Sequence, residues 1–172
     1  SNAARIPAYK FRGELYTDTT ELVRALASDW DNGKKQLYRG LLTGFFMACD
    51  PEIAEACMDA EDSVTKHGEN EDVAFWKLLY KMAPGMDTFF WKNRKYESLN
   101  AFGTDSMEKL RSGNVDECPM WNEMLSYGLI SSYMKSHKFN EVQVNGAESI
   151  ESSVRLNKAN AKIMALDYYL LA

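Results

Sequence analysis

The chain has 172 residues, of which 45% are hydrophobic and 12% aromatic, and its formal net charge is −5. This composition excludes an intrinsically disordered chain, and the length is sufficient to bury a core. The acidic balance argues against a general nucleic-acid-coating protein, and no apolar run approaches the roughly 20 residues needed to cross a bilayer. We therefore expect a folded cytoplasmic protein that spans no membrane.

The first part of the chain predicts a tight turn followed by a helix. Gly13 lies between aromatic residues and tolerates positive φ, which favours a minimal hairpin. Asp18, with Glu21 three residues later, matches a capping box, so we expect a helix over roughly residues 19–29. Residues 31–33, Asp-Asn-Gly, are predicted to break the chain.

Three more helices are predicted before the middle of the chain. The second covers roughly residues 34–49 and carries Gly40 and Gly44 on one face. Each glycine costs about 1 kcal/mol relative to alanine in a helix, so close approach of another element is the expected compensation. The third helix follows the Asp-Pro pair at 50–51. The fourth covers roughly residues 71–82 and is apolar nearly all round, which predicts the most buried helix of this region.

Residues near the middle of the chain repeat those at its start. The segments 7–16 and 87–96 share a pattern of aromatic, basic and turn-forming residues, 80 positions apart. Three more matches follow in the same order at spacings of 88 to 90 residues, with one insertion in the second copy. Such ordered self-similarity predicts a tandem duplication. The later matches are 37–46 with 125–134, 61–64 with 151–154, and 80–83 with 169–172.

The duplication predicts an all-α fold in which a unit of about 88 residues, with roughly four helices, occurs twice and stacks as a short helical array. Residues 1–3 resemble the remnant of tag removal, 4–86 form the first unit and 87–172 the second. The second copy stops where a third would begin, so we expect a fragment of a longer protein. Helices of the second unit are expected at roughly 98–111, 121–136, 149–156 and 160–171, with 139–146 as a strand-like loop and 112–119 as an inserted surface loop.

One candidate binding surface lies in the second copy of the repeated segment: Trp91, Lys92, Arg94, Lys95 and Tyr96. Interleaved basic and aromatic side chains can stack on bases and hold phosphates, or bind an acidic peptide. We favour a structural interpretation, in which the aromatic side chains fill a slot between the units while the charges remain solvated. The reason is that residues 13–15 of the first unit, Gly-Glu-Leu, which match 93–95, are not basic, whereas the aromatic residues persist.

The cysteines and histidines do not indicate a metal site or a disulfide framework. Cys49, Cys57 and Cys118 show no CxxC spacing, which favours reduced, buried thiols in a cytosolic protein, although Cys118 falls in a predicted loop. Histidine occurs only as His67 and His137, and neither has a spacing that supports a cysteine nucleophile with a histidine base. We expect no metal and no cofactor.

Two polar segments have ordinary structural interpretations. Asp59, Glu61 and Asp62 could form an acid–base pair or a cation site, but a solvated helix face is the favoured interpretation. Residues 113–119 occur only in the second unit, where drift of a tolerant surface loop is favoured over a binding loop.

We expect a protein-interaction or scaffolding segment of a larger intracellular protein, with no catalytic activity of its own, because helical arrays supply extended surfaces. The expected partner is another protein. A nucleic-acid-binding module that uses residues 89–96 is the first alternative, and an enzyme with an unrecognised site is the second.

Overall fold

The computed structural model describes residues 5–156, apart from 115 and 117. These residues are mostly helical, and none of their helices is long and apolar enough to cross a membrane. The all-α prediction is correct for this helical content and wrong for four short strands, which pair as two antiparallel hairpins. The strands are β1 (Arg5–Phe11), β2 (Glu14–Asp18), β3 (Phe89–Trp91) and β4 (Arg94–Tyr96), and the helices are α1 (Thr19–Ser28), α2 (Trp30–Tyr38), α3 (Leu41–Met47), α4 (Pro51–Thr65), α5 (Glu71–Met82), α6 (Leu99–Arg111), α7 (Cys118–Ser126), α8 (Leu129–Ser136) and α9 (Glu141–Leu156).

The chain divides into two compact units. Unit one contains the residues up to Met86 together with Phe90–Lys95, and unit two contains Asp87–Phe89 together with the residues from Tyr96 onward. The two hairpins begin the two series of helices.

The turn of the first hairpin explains why strands form in a largely helical chain. Arg12 and Gly13 have φ values of 52° and 81°, and two successive positive values suit the twist of an antiparallel pair. An ion pair of 2.8 Å from Arg12 Nη1 to Asp29 Oδ2 accompanies this conformation. In the second hairpin Lys92 has a positive φ, again 52°, whereas Asn93, which matches Gly13 at a spacing of 80 residues and also tolerates positive φ, is not among the positive-φ residues.

The core of unit one is centred on α5, which buries eight of its twelve residues. The prediction that this helix is the most buried one of the region is confirmed. Trp76 donates from Nε1 to the carbonyl oxygen of Phe90 at 2.7 Å, and Phe75 packs edge-on against Trp30 with ring centroids 4.8 Å apart. Residues of the second hairpin therefore complete the aromatic core of unit one.

The predicted chain break at residues 31–33 is wrong, because α2 runs through all three. Gly33 is buried, and an added Cβ would lie 2.4 Å from the carbonyl oxygen of Leu26 in α1. The glycine therefore permits close crossing of two helices, and its N–H keeps a helical hydrogen bond of 2.7 Å to the Asp29 carbonyl.

The two long helices predicted over 34–49 and 121–136 are each broken by a glycine. Gly40 and Gly128 have φ values of 77° and 70° and start α3 and α8 from the left-handed region. Glycine occupies this region without the steric cost of a side chain. The predicted close approach at Gly40 and Gly44 is wrong, since an added Cβ at either would meet nothing within 4 Å.

Unit two has a longer third helical segment than predicted. The strand-like loop expected over 139–146 is wrong, because α9 begins at Glu141. Asn140 and Gln143 cap the helix reciprocally: Asn140 Oδ1 accepts from the Gln143 N–H at 2.8 Å, and Gln143 Oε1 accepts from the Asn140 N–H at 3.3 Å. The predicted inserted loop is shorter than expected, since α7 begins at Cys118. The helix predicted over 160–171 lies outside the described residues.

Candidate functional site

The structure places the residues of the predicted binding surface in different environments. Trp91 is 1% exposed and packs edge-on against Trp30 with ring centroids 5.9 Å apart. It therefore belongs to the core of unit one and offers no stacking surface, which agrees with the favoured interpretation of buried aromatic side chains for this residue. Lys92 is half-buried, with Nζ 5.4 Å from the centroid of the Trp91 ring, whereas Arg94 and Lys95 are exposed.

Tyr96 is a half-buried residue of unit two. Its hydroxyl donates to Asp105 Oδ2 at 2.9 Å, and its ring packs edge-on against Phe102 with centroids 5.2 Å apart. These contacts hold the ring within unit two. The binding surface that remains for a ligand thus consists of Lys92, Arg94 and Lys95, and its function stays a prediction.

A cleft of about 400 Å³ lies beside α2 in unit one. Its volume falls within the range of protein ligand sites, and five of its six lining residues are of charged types, an unusual composition for a small-molecule pocket. Residues four apart on a helix share one face, and α2 with its C-cap supplies two such rows. The lining residues are Asp31, Lys35 and Arg39 in one row, Lys34 and Tyr38 in the next, and Glu71 from α5.

Lys34 is a structural cation at the inner wall of this cleft. Its Nζ lies 2.9 Å from both Glu71 Oε1 and Asp72 Oδ1, and Trp30 Nε1 donates to the same Asp72 oxygen at 2.7 Å. Burial alone would lower the pKa of Lys34, but the two carboxylates outweigh it and raise that pKa. Burial would likewise raise the pKa of Asp72, but the hydrogen bonds from Lys34 and Trp30 lower it. Lys34 and Asp72 therefore stay charged, and the charge of Lys34 is offset within this cluster.

Lys35 and Arg39 are the ligand-accessible cations of the cleft. Both are exposed, and neither forms an ion pair within the residues that the structure describes. Tyr38 lies in the adjacent row, where its hydroxyl donates to the Glu71 carbonyl oxygen at 2.6 Å. Burial is the main cause that raises the pKa of Tyr38, so the hydroxyl stays a neutral donor. The arrangement can bind anionic oxygen atoms beside an aromatic ring.

The cleft is electrostatically linked to the predicted surface. The charge of Lys92 contributes to the lowered pKa of Asp72, which places this hairpin residue close to the start of α5. Sequence reasoning found Lys92 but missed the cations of α2. The missed pattern is the Lys-Lys-Gln-Leu-Tyr-Arg segment at 34–39, in which Lys35 and Arg39 are four residues apart and share a helix face.

The cysteines differ from one another. Cys57 is fully buried, and burial first and the charge of Glu61 second raise its thiol pKa to about 12. Such a thiol remains protonated near neutral pH and is a poor nucleophile. Cys49 is exposed, so the prediction of buried thiols is wrong for this residue. Cys118 begins α7 rather than lying in a loop.

A serine, a histidine and an aspartate come together in unit two, without the arrangement that nucleophilic catalysis requires. His137 Nδ1 lies 2.8 Å from the Tyr133 carbonyl oxygen and 2.9 Å from Ser136 Oγ, while Nε2 lies 3.9 Å from Asp87 Oδ1. A carbonyl oxygen only accepts, so the contact with Tyr133 assigns the proton to Nδ1. That nitrogen then cannot take a proton from Ser136.

The acidic cluster of α4 is held by local contacts. Glu61 Oε2 accepts from Thr43 Oγ1 at 2.8 Å, and Asp62 forms an ion pair of 3.3 Å with Lys66. No group of three or more potential ligands placed to hold a metal occurs in residues 5–114, 116 and 118–156. The favoured interpretation as a solvated helix face holds for Asp59, which is exposed, whereas Glu61 and Asp62 are half-buried.

The counterpart of Glu61 by sequence match is a buried glutamate in unit two. Glu151 is 1% exposed, and its Oε2 accepts from the backbone N–H of Ser131 at 3.1 Å, in the first turn of α8. Burial raises the pKa of Glu151, and the hydrogen bonds from Ser131 oppose that shift without cancelling it. The carboxylate joins α9 to the start of α8.

Comparison of the chain with protein families, curated proteins and solved structures found no match. Among the described residues, the cleft beside α2 is the strongest candidate for a functional site.

Proposed function

We propose that this chain is a protein-interaction or scaffolding segment of a larger intracellular protein, and that it binds a protein partner at the α2 cleft. The observation that carries this proposal is the pair of exposed cations, Lys35 and Arg39, beside Tyr38 at an open cleft of about 400 Å³. A polar, open surface of this kind suits a protein segment better than a small apolar ligand. No catalytic step is assigned to it.

A tandem duplication is part of the same proposal, because repeated helical units commonly serve as binding scaffolds. Matched features of the two units support it. Lys92 follows Arg12 by 80 residues, and both have φ of 52°. Ser98 follows Asp18 by the same spacing, and both cap the next helix by accepting from a backbone N–H, at 3.1 Å and 2.9 Å.

Further matches support the duplication beyond the hairpins. Gly128 follows Gly40 by 88 residues, and each starts a helix from the left-handed region. In each unit, a glutamate from the next long helix contacts the third residue of the helix that the glycine starts. These pairs are Glu61 with Thr43 and Glu151 with Ser131. These features involve unusual backbone conformations and tertiary contacts, so shared helical periodicity alone does not account for them.

A cytoplasmic location is also proposed. Cys49 and Cys57 are both free thiols, and free thiols are more typical of reducing compartments than of secreted proteins.

Site-specific photo-crosslinking tests the location of the interface. A photoreactive residue replaces Asp31, which lines the cleft, and in a separate protein it replaces Lys81, an exposed residue of the same unit outside the cleft. We expect a discrete protein adduct in lysate of the source organism from position 31 and none from position 81. Equal labelling at both positions would contradict the proposed surface.

Nucleic-acid binding is the second candidate, supported by the exposure of Arg94 and Lys95. The burial of Trp91 removes a stacking residue from it. An adduct that disappears after nuclease treatment would favour this alternative, and its affinity should then fall steeply with salt.

A further inference from the structure

We infer that the α2 cleft binds an extended acidic peptide segment, with two carboxylates on Lys35 and Arg39. This inference rests on the proposed function and adds the chemistry and spacing of the partner. The distribution of charge in the cleft is the first support for this inference. Lys34 is neutralised by Glu71 and Asp72, each at 2.9 Å, so a ligand meets the cations of the outer row instead.

The spacing of the outer row favours an extended ligand. Lys35 and Arg39 are four residues apart, which corresponds to about 6 Å along a helix axis. Alternate residues of an extended peptide are about 6.6 Å apart and point to the same side. Two acidic side chains at positions i and i+2 of a peptide laid along α2 therefore match the two cations. The side chain of the intervening residue points away from α2 and needs no contact in the cleft.

Asp31 makes the two ends of the row different in charge, so a bound peptide would have a preferred direction. It lies one further helical turn from Lys35 in the same row, is exposed, and makes no ion pair among the described residues. A third carboxylate at position i+4 of the ligand would face this aspartate and be repelled. A lysine there would be attracted. Along the row from Arg39 to Asp31, the cleft therefore matches a peptide with acidic residues at positions i and i+2 and a basic residue at position i+4.

Nucleic acid fits this row less well, because its phosphates are all negative and one of them would face Asp31. The net charge of −5 for the chain also opposes binding of a long polyanion without local compensation. The observations thus favour a peptide with mixed charge over a uniform polyanion.

Binding of labelled synthetic peptides to the full chain tests the inference. The probes are Glu-Ala-Glu-Ala-Lys, its reversed sequence, and Glu-Ala-Glu-Ala-Glu, each capped at both ends and measured by fluorescence anisotropy at low salt. We expect one of the two lysine-containing peptides to bind more tightly than the all-glutamate peptide. The double variant Lys35→Glu/Arg39→Glu should weaken that binding by about tenfold, because two attractive contacts become repulsive.

A matched variant separates this site from the general charge of the protein. Lys10→Glu/Lys81→Glu makes the same charge change at two exposed lysines of unit one and should leave peptide binding unchanged. Asp31→Lys should reverse the preference in favour of the all-glutamate peptide. Circular dichroism confirms that each variant is folded.

The remaining outcomes decide against the inference. Equal loss in both double variants, no binding of any peptide, or displacement of the peptide by a single-stranded oligonucleotide at equal charge concentration would each overturn it. Photo-crosslinking from position 31 keeps the two proposals apart. A protein adduct that persists in Lys35→Glu/Arg39→Glu would leave the proposed function in place and remove only the acidic-peptide chemistry.

Discussion

The two units build the same junction and bury it to different extents. In each, a glycine in the left-handed region starts a helix, with φ of 77° at Gly40 and 70° at Gly128. A glutamate from the next long helix accepts a hydrogen bond from the first turn of the helix that the glycine starts. Neither starting glycine supplies a side-chain cap, so a side chain from a tertiary neighbour makes the polar contact at each helix start.

The difference is in the group that the glutamate reaches. In unit one, half-buried Glu61 accepts from the hydroxyl of Thr43. In unit two, Glu151 is 1% exposed and accepts from the backbone N–H of Ser131. The comparison shows that a helix start of this kind can be contacted by a partly solvated carboxylate or by a buried one. The buried carboxylate bears a desolvation cost, which appears as its raised pKa.

The largest expected effect comes from removing the tryptophan that the second hairpin contributes to unit one. Trp91→Ala leaves a cavity beside Trp30, whose ring centroid lies 5.9 Å away, and should lower the free energy of unfolding by about 3–5 kcal/mol. Urea denaturation followed by circular dichroism measures it. Lys95→Ala, at an exposed residue of the same hairpin, should change stability by less than about 0.5 kcal/mol. Equal midpoints for the two variants would show that the hairpin does not support the core of unit one.

A smaller effect is expected at the crossing of α1 and α2. Gly33→Ala would place Cβ 2.4 Å from the Leu26 carbonyl oxygen, so the backbone must shift, at a cost of about 1–3 kcal/mol. Gly44→Ala is the matched control, because that exposed helical glycine has nothing within 4 Å of an added Cβ. It should raise stability by about 0.5–1 kcal/mol. A thermal melt that ranks the two variants in the opposite order would refute the assignment of the close helix crossing.

Gly33 and Gly40 show which features of the fold could be predicted from the sequence and which could not. Periodicity located the helices and ranked α5 as the most buried, because apolar spacing reports burial directly. It could not tell a glycine that permits close packing from one that starts a helix with positive φ. Gly33 and Gly40 therefore exchanged roles: the first was expected to break the chain and is packed inside a helix, and the second was expected inside a helix and separates two.

The candidate site was less predictable for a related reason. Lys92 was found because basic and aromatic residues are adjacent in sequence. Lys35 and Arg39 already lie four residues apart in the predicted helix over 34–49, but the predicted break at 31–33 separated Asp31 from that row, and the contribution of Glu71 to the cleft depends on the packing of α5. Burial of the aromatic side chains at 89–96 was the favoured prediction, but the packing of Trp91 against Trp30, some 60 residues earlier, could not be predicted from the sequence. Tertiary contact decides both features.

The smallest effect concerns pH and tests the difference between the two junctions. Because burial raises the pKa of Glu151 above its value in the unfolded chain, the folded state binds this proton more readily. The contribution of Glu151 to stability is then complete below the unfolded-state pKa of about 4.3 and declines as pH rises through the raised folded pKa. Glu151→Gln removes this titration, so the variant should gain stability relative to wild type as pH rises from that window to neutrality.

Urea denaturation at a series of pH values measures this difference, and Glu55→Gln, which removes one negative charge from an exposed position of α4, corrects for net charge. A constant difference between wild type and Glu151→Gln across the series would show that the buried carboxylate bears no desolvation cost. The two junctions would then be electrostatically equivalent despite their different exposure.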